Sequence, residues 1–183
     1  LRRPTLNFFI VPSHVDLALA ESELAGRIGR EKILHKKLAL VKKDFDYIFI
    51  DCPPTLGILV VNALAAADSV LIPIQCEPLT LYGVKHLLQV INLVREDVNR
   101  DLKIEGVLRT MYDRRTKLSQ EVSESIQQTF GDLVCSTIIY RHVKFAEGPI
   151  HEIPINFYAS KSPGADEYRN LAEELLTHES RKV

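Results

Sequence analysis

The chain has 183 residues, with 23 Lys and Arg against 24 Asp and Glu, for a formal net charge of −1. That length suits one α/β domain with a sizeable core, and the near-neutral balance excludes a polycation that coats nucleic acid through bulk charge. Hydrophobic residues at 46% and charged residues at 26% exclude a disordered chain, while no apolar run reaches the roughly 18–20 residues of a membrane-spanning helix.

Strands and helices alternate along the chain. Residues 7–12 (NFFIVP) read as a short buried strand, after an N-terminus that lacks the apolar stretch of a secretory leader. Leu17, Ala20, Leu24 and Ile28 then recur at helical spacing. Residues 31–43 form a second helical stretch, with Ile33, Leu34, Leu38 and Val41 inward and Lys32, Lys36, Lys37, Lys42 and Lys43 on a solvated face. Residues 47–50 (YIFI) form a continuous apolar run, as expected of a strand covered on both faces. A helix over 58–67, a strand over 70–74 and a long helix over 79–98 follow, the last with Val84, Leu87, Leu88, Ile91 and Val98 on one face. A strand at 104–108, a helix at 118–130, a strand at 134–139 and a closing helix carrying Tyr168, Leu171, Ala172, Leu175 and Leu176 complete the pattern.

This alternation predicts one α/β domain over 1–183: a doubly wound, mostly parallel sheet with helices on both faces. Ligands of such sheets bind beyond the carboxyl ends of the strands. Residues 51–54, 75–78, 110–115 and 140–144 should therefore share one rim.

Several chemistries lack their residues. Three cysteines (Cys52, Cys76, Cys135) lie far apart with no CxxC pair, and the six histidines make no HExxH pattern. A Walker A loop needs two glycines five positions apart before Lys-Ser/Thr, so that backbone N–H groups wrap a phosphate. No two of the eight glycines have that separation, and GxGxxG and GxSxG are absent too.

Two features remain. Asp51 stands at the end of an apolar strand, where nucleotide hydrolases hold Mg²⁺ or its water shell; the alternative is an Asp that caps the next helix. Arg114, Arg115, Lys117, Arg141 and Lys144 come from two rim segments and would make a phosphate-binding patch giving salt-sensitive, sequence-independent binding. The alternative is a set of surface charges paired with Asp113, Glu121 and Glu147.

The stretch FDYIFIDCPPTLGILVVNALAAADSVLIPIQCEPLTLYGVKHLL, with GVLRTMYDRRTKLSQEV, HVKFAEGPI and KSPGADEYRNLAEEL, resembles the ParA/Soj family of chromosome- and plasmid-partitioning ATPases. That family lies within the deviant-Walker P-loop group that also contains MinD. The DCPP and MYDRRTKLS segments favour partitioning ATPases over MinD, as does the tail THESRKV, too short and polar for a membrane helix.

The resemblance implies that Asp51 is the Walker B-type catalytic and Mg²⁺-associated residue, and that Cys52, Pro53, Pro54 and Thr55 form the switch II turn. It places Met111, Tyr112 and Asp113 near adenine and ribose. Tyr140, Arg141 and His142 stand where the family reads Pro-Arg-Asn against the base, a departure at two of three positions. Arg115 and Lys144 match positions implicated in non-specific DNA binding. The implied cofactors are ATP and Mg²⁺ in the full-length protein, none being expected on this chain alone. The implied partners are DNA, a ParB-like centromere-binding protein and a second copy of the chain, with no membrane, in a cytoplasmic, nucleoid-associated protein.

Family members begin with a strand and a KGGxGKT-type loop, which these residues lack. The sequence therefore reads as the C-terminal two thirds or so of such an ATPase, unable by itself to hydrolyse ATP at a useful rate. The alternative is a naturally shortened, non-catalytic DNA- or partner-binding member. Loss of a central strand would leave ladder edges that self-association hides.

Overall fold

Three parallel strands, β1 (Ser69–Gln75), β2 (Lys103–Tyr112) and β3 (Val134–Tyr140), lie side by side in that order, joined by helical crossovers. The computed structural model describes residues 8–180, which divide into two compact units. One comprises residues 8–67 and 93–100, the other residues 68–92 and 101–180.

The first unit contains α1 (Ala20–Leu24), α2 (Ile33–Leu38), α3 (Ile58–Ala66) and 3-10 turns at Val15–Leu19, Arg30–Lys32 and Lys42–Asp44. The two periodic stretches at 17–28 and 31–43 thus break into shorter pieces. Gly29, at φ 69°, takes the left-handed conformation that stops helices. Val41 falls in a turn and is exposed rather than inward, while the five lysines of the second stretch are exposed as expected.

α3 is the buried element of this unit, with Val60, Ala63, Leu64 and Ala65 all buried. Its one buried polar side chain, Asn62, acts as a tether. The Asn62 amide donates to the carbonyls of Arg30 (2.7 Å) and Ile58 (3.0 Å), and its oxygen accepts the Leu34 N–H at 3.1 Å. α2 has no side-chain cap of its own, so Asn62 satisfies one of its free first-turn amides from α3. Asn99 does the same at the other end of α3, donating to the carbonyls of Leu64 (2.9 Å) and Ala67 (2.8 Å).

Two expected strands do not form here. Of residues 7–12, Asn7 lies outside the described residues, and Ile10 makes only an isolated bridge. Residues 47–50 form no ladder, and Phe49 is 86% exposed. An apolar run supplies the tendency to be buried, but a strand exists only where a neighbour takes its N–H and C=O groups. Among the described residues no strand lies alongside this one.

In the second unit, α4 (Thr80–Asp97, its last turn grouped with the first unit) links β1 to β2, and α5 (Lys117–Phe130) links β2 to β3. β2 aligns Ile72 with Val107 and Ile74 with Arg109, and these inward positions of β1 are fully buried. Leu108 of β2 packs with Cys135, Ile139 and, on α8 (Pro163–Ser180), Leu171. Its neighbour Arg109 reaches Ser123 of α5 at 3.3 Å. Successive strand residues point to opposite faces, so α8 and α5 cover opposite sides of the sheet, as the alternation predicted. β2 and β3 both run further than expected, which places Met111 and Tyr112 inside a strand rather than after it.

α6 (Val143–Ile150) and α7 (Ile155–Tyr158) lie between β3 and α8, where the hydrophobic pattern predicts no helix. Gly148 and Pro149 read as helix breakers, yet Pro149 occupies the last turn of α6, whose carbonyls bond the turn at 151–153 instead.

Gly106 sets the spacing of β2 and β3. A Cβ there would stand 2.7 Å from Cys135 Sγ, which is buried. Gly106→Ala is expected to cost about 1–3 kcal/mol by overpacking, and Cys135→Ala in the same chain to recover most of that. A denaturant-unfolding double-mutant cycle with additive penalties would contradict this packing account.

Candidate functional site

The C-terminal ends of β1, β2 and β3 form one rim of the second unit. The β1–β2 ladder continues through the Cys76 N–H to the Thr110 carbonyl (2.9 Å), and the β2–β3 ladder through the Arg141 N–H to the Tyr112 carbonyl (3.0 Å). Arg141 donates to Glu77 at 2.7 Å, joining the exits of β3 and β1. Segments 75–78, 110–115 and 140–144 therefore share an edge, as parallel topology requires.

The fourth segment belongs to the first unit. There Asp51, Cys52, Pro53, Pro54 and Thr55 lie exposed in an irregular segment that bends at Pro54 and Thr55, with the Cys52 thiol near the Ile50 carbonyl at 3.7 Å. Although the residue is exposed overall, partial desolvation of the thiol by the surrounding chain and then the Asp51 charge push the Cys52 thiol pKa up. Asp51 does not cap α3, whose N-cap is Gly57.

The rim cations are held by specific partners. The Arg115 guanidinium grips Asp113 with two bonds (2.9 and 2.7 Å), and the Arg115 backbone N–H adds a third at 3.0 Å. Arg115 thereby holds the Asp113 carboxyl well below the usual carboxylate range. Lys144, in the first turn of α6, donates to Glu147 at 2.7 Å, and the Tyr158 hydroxyl of α7 donates to the same oxygen at 3.0 Å. Those two bonds lower the Glu147 pKa. Arg114 lies over the Tyr140 ring, 4.2 Å from its centroid, and bonds the hydroxyl. Of the three acids that the sequence offered as partners, Asp113, Glu121 and Glu147, the first and last hold Arg115 and Lys144, and Glu77 takes Arg141.

Tyr112, Tyr140, His142, Phe145 and Tyr168 form a chain of edge-on and tilted ring contacts, with neighbouring centroids 5.2 to 6.5 Å apart. Beside it opens a groove of about 630 Å³, lined chiefly by Met111, Ile139, Phe145, Pro149, Ile153 and Tyr168, with Lys144 and Glu152 as its charged members. Met111 and Glu152 have φ of 53° and 56°, backbone conformations that cost L side chains of order 1 kcal/mol or more.

Glu167, which carries no sequence signal, holds this end of the sheet. From α8 it accepts the Tyr140 N–H at 3.0 Å with one oxygen and bonds His142 Nε2 at 2.8 Å with the other. It lies 27 residues from Tyr140, so no local pattern announces it. Glu147, three residues after Lys144, was legible as a nearby acid, and α6 makes the two an i,i+3 pair. Among the described residues no group of three His, Cys, Asp or Glu converges as a metal-binding set, and no helix is long and apolar enough to cross a membrane.

Glu167→Ala strips both partners at once. It is expected to destabilise the unit by about 1–3 kcal/mol and to expose the Tyr140 amide to exchange while the Val107 amide in the core stays protected. Unchanged exchange at Tyr140 would show that the carboxylate is dispensable.

A family model described as an AAA domain, AAA_31, matches residues 2–104. The chain is 46% identical over 179 residues to the chromosome-partitioning ATPase Soj of Treponema pallidum, covering 98% of this chain and 71% of that protein. It is 47% identical over 172 residues to the sporulation initiation inhibitor protein Soj of Bacillus subtilis, covering 94% and 68%. Among solved structures, a Mycobacterium smegmatis cobyrinic acid a,c-diamide synthase with bound ATP analog and magnesium superposes with a TM-score of 0.78 at 39% identity, over 94% of this chain and 63% of that one. The parallel sheet, the rim at its strand ends and these identities agree: the chain belongs to the ParA/Soj family of partitioning ATPases.

Proposed function

We propose that this chain is part of a ParA/Soj-type ATPase that segregates chromosome or plasmid DNA, through ATP-dependent dimerisation and sequence-independent DNA binding. The observation that carries the reading is the identity of 46–47% to two Soj proteins across nearly the whole chain. In this reading residues 1–183 belong to one ATPase domain. The protein is cytoplasmic and nucleoid-associated, and a ParB-like centromere-binding protein stimulates hydrolysis and releases it from DNA. A naturally shortened, non-catalytic member that keeps the DNA- or partner-binding surface is the second reading, which the Tyr140-Arg141-His142 departure favours.

Magnesium and ATP fit this chain only in part. The apolar lining of the groove beside Met111 and Phe145 suits a flat ring. The family resemblance sets Met111, Tyr112, Asp113, Tyr140, Arg141 and His142 at the base end, and of these Met111 lines the groove. A triphosphate finds no cradle: no glycine pair has the phosphate-loop spacing, and Asp51 is a single exposed carboxylate. Asp51 in the Walker B role, and Cys52, Pro53, Pro54 and Thr55 as switch II, are proposals for the whole protein, and no hydrolytic step is assigned to the chain by itself.

The DNA role rests on Arg115 and Lys144. Arg115→Ala with Lys144→Ala is expected to weaken binding of a mixed-sequence duplex and to lower the salt slope by about two, one for each phosphate left without its cation; unchanged affinity and slope would remove this part of the reading. Addition of ATP and Mg²⁺ is expected to leave the chain's thermal midpoint unshifted and to release no phosphate above background. A nucleotide-dependent rise in midpoint would show a competent site.

A further inference from the structure

We propose that Asp113 and Glu147 act as built-in competitors of DNA phosphate, each holding one of the two rim cations until the polyanion displaces it. The inference rests on the reading that Arg115 and Lys144 meet DNA.

The geometry of the two pairs carries it. The Arg115 side chain is 86% exposed while that of Asp113 is 19% exposed, so the carboxylate is anchored and the guanidinium faces water. Lys144 is likewise more exposed than Glu147, 52% against 35%. Because each cation faces water while it holds its acid, a phosphate can reach it and compete for it.

Each carboxylate also has a second donor that is neutral and stays behind. Asp113 keeps the Arg115 backbone N–H at 3.0 Å, and Glu147 keeps the Tyr158 hydroxyl at 3.0 Å. When the cation swings to a phosphate, neither carboxylate is stripped of hydrogen bonds. The exchange is a swap of one anion for another around the same cation.

The two acids thus set the threshold at which the rim binds. Local ion pairing lowers affinity for scattered phosphates, while a duplex that presents several together still wins. Tyr158 belongs to this device through its hydroxyl, although it carries no charge.

The test is fluorescence anisotropy of a mixed-sequence labelled duplex across a salt series. Asp113→Asn and Glu147→Gln are each expected to tighten binding about two- to fivefold, the worth of an exposed pair. Asp132→Asn makes the same charge change at the opposite end of β3, in the turn Gly131–Leu133, and is expected to leave affinity unchanged. Tyr158→Phe changes no charge and keeps the ring. It is expected to weaken binding about twofold, because Glu147 then loses its second donor when Lys144 leaves, and to have no effect in the Glu147→Gln background.

Equal tightening by Asp132→Asn would reduce the effect to net charge and overturn the proposal. No tightening from Asp113→Asn and Glu147→Gln, with binding still weakened by Arg115→Ala and Lys144→Ala, would overturn the competitor role and leave the DNA reading standing. Binding unaffected by the loss of both cations would overturn the two together.

Discussion

Among the described residues β3 closes one side of a three-stranded parallel sheet, with no strand on its outer side. α8 supplies the missing acceptors. Glu174 takes the N–H groups of Ser136 (2.6 Å) and Thr137 (2.9 Å), and Glu167, two helical turns earlier, takes that of Tyr140 at 3.0 Å. On the inner side the register with β2 shifts between Val107 and Arg109, and there the Arg109 guanidinium takes the Cys135 carbonyl at 3.1 Å. An edge strand finished by carboxylates neither recruits a neighbour nor leaves buried donors unpaired. α8 is in turn fixed against β3, with Leu171 in the shared cluster.

The rim inherits its shape from that edge. Because Glu167 holds both Tyr140 and His142, the segment Tyr140-Arg141-His142 leaves the sheet along a set path. That path brings Tyr140 under Arg114, Arg141 to Glu77 and His142 against Phe145. Both rings of this segment have a polar partner: Tyr140 has Arg114, and His142 has Glu167.

Charge on the rim is organised by local pairs rather than by excess. Asp113 and Arg115 are two residues apart, Lys144 and Glu147 three apart, and both pairs are within reach of a sequence argument. The near-neutral composition already requires any phosphate binding to be local. What composition does not disclose is that Arg115 and Lys144 each hold an acid of their own, nor that Tyr158, from a helix the hydrophobic pattern does not reveal, shares one of them.

The order of the three strands and of the helices α3, α4, α5 and α8, with the parallel pairing and the helices on both faces, followed from the alternation of hydrophobic period, because each of these apolar stripes meets the surface its period implies; α6 and α7 did not. The membership in a partitioning family was carried by short runs such as DCPP and MYDRRTKLS. Tertiary structure decided the rest. Residues 7–12 and 47–50 have strand composition, but a strand needs a neighbour for its backbone and composition cannot supply one. Glu167, Glu174 and Asn62 read as ordinary polar helix residues. They matter because the fold sets them against unpaired amides 27 to 38 residues away, a coincidence in space that no local spacing encodes.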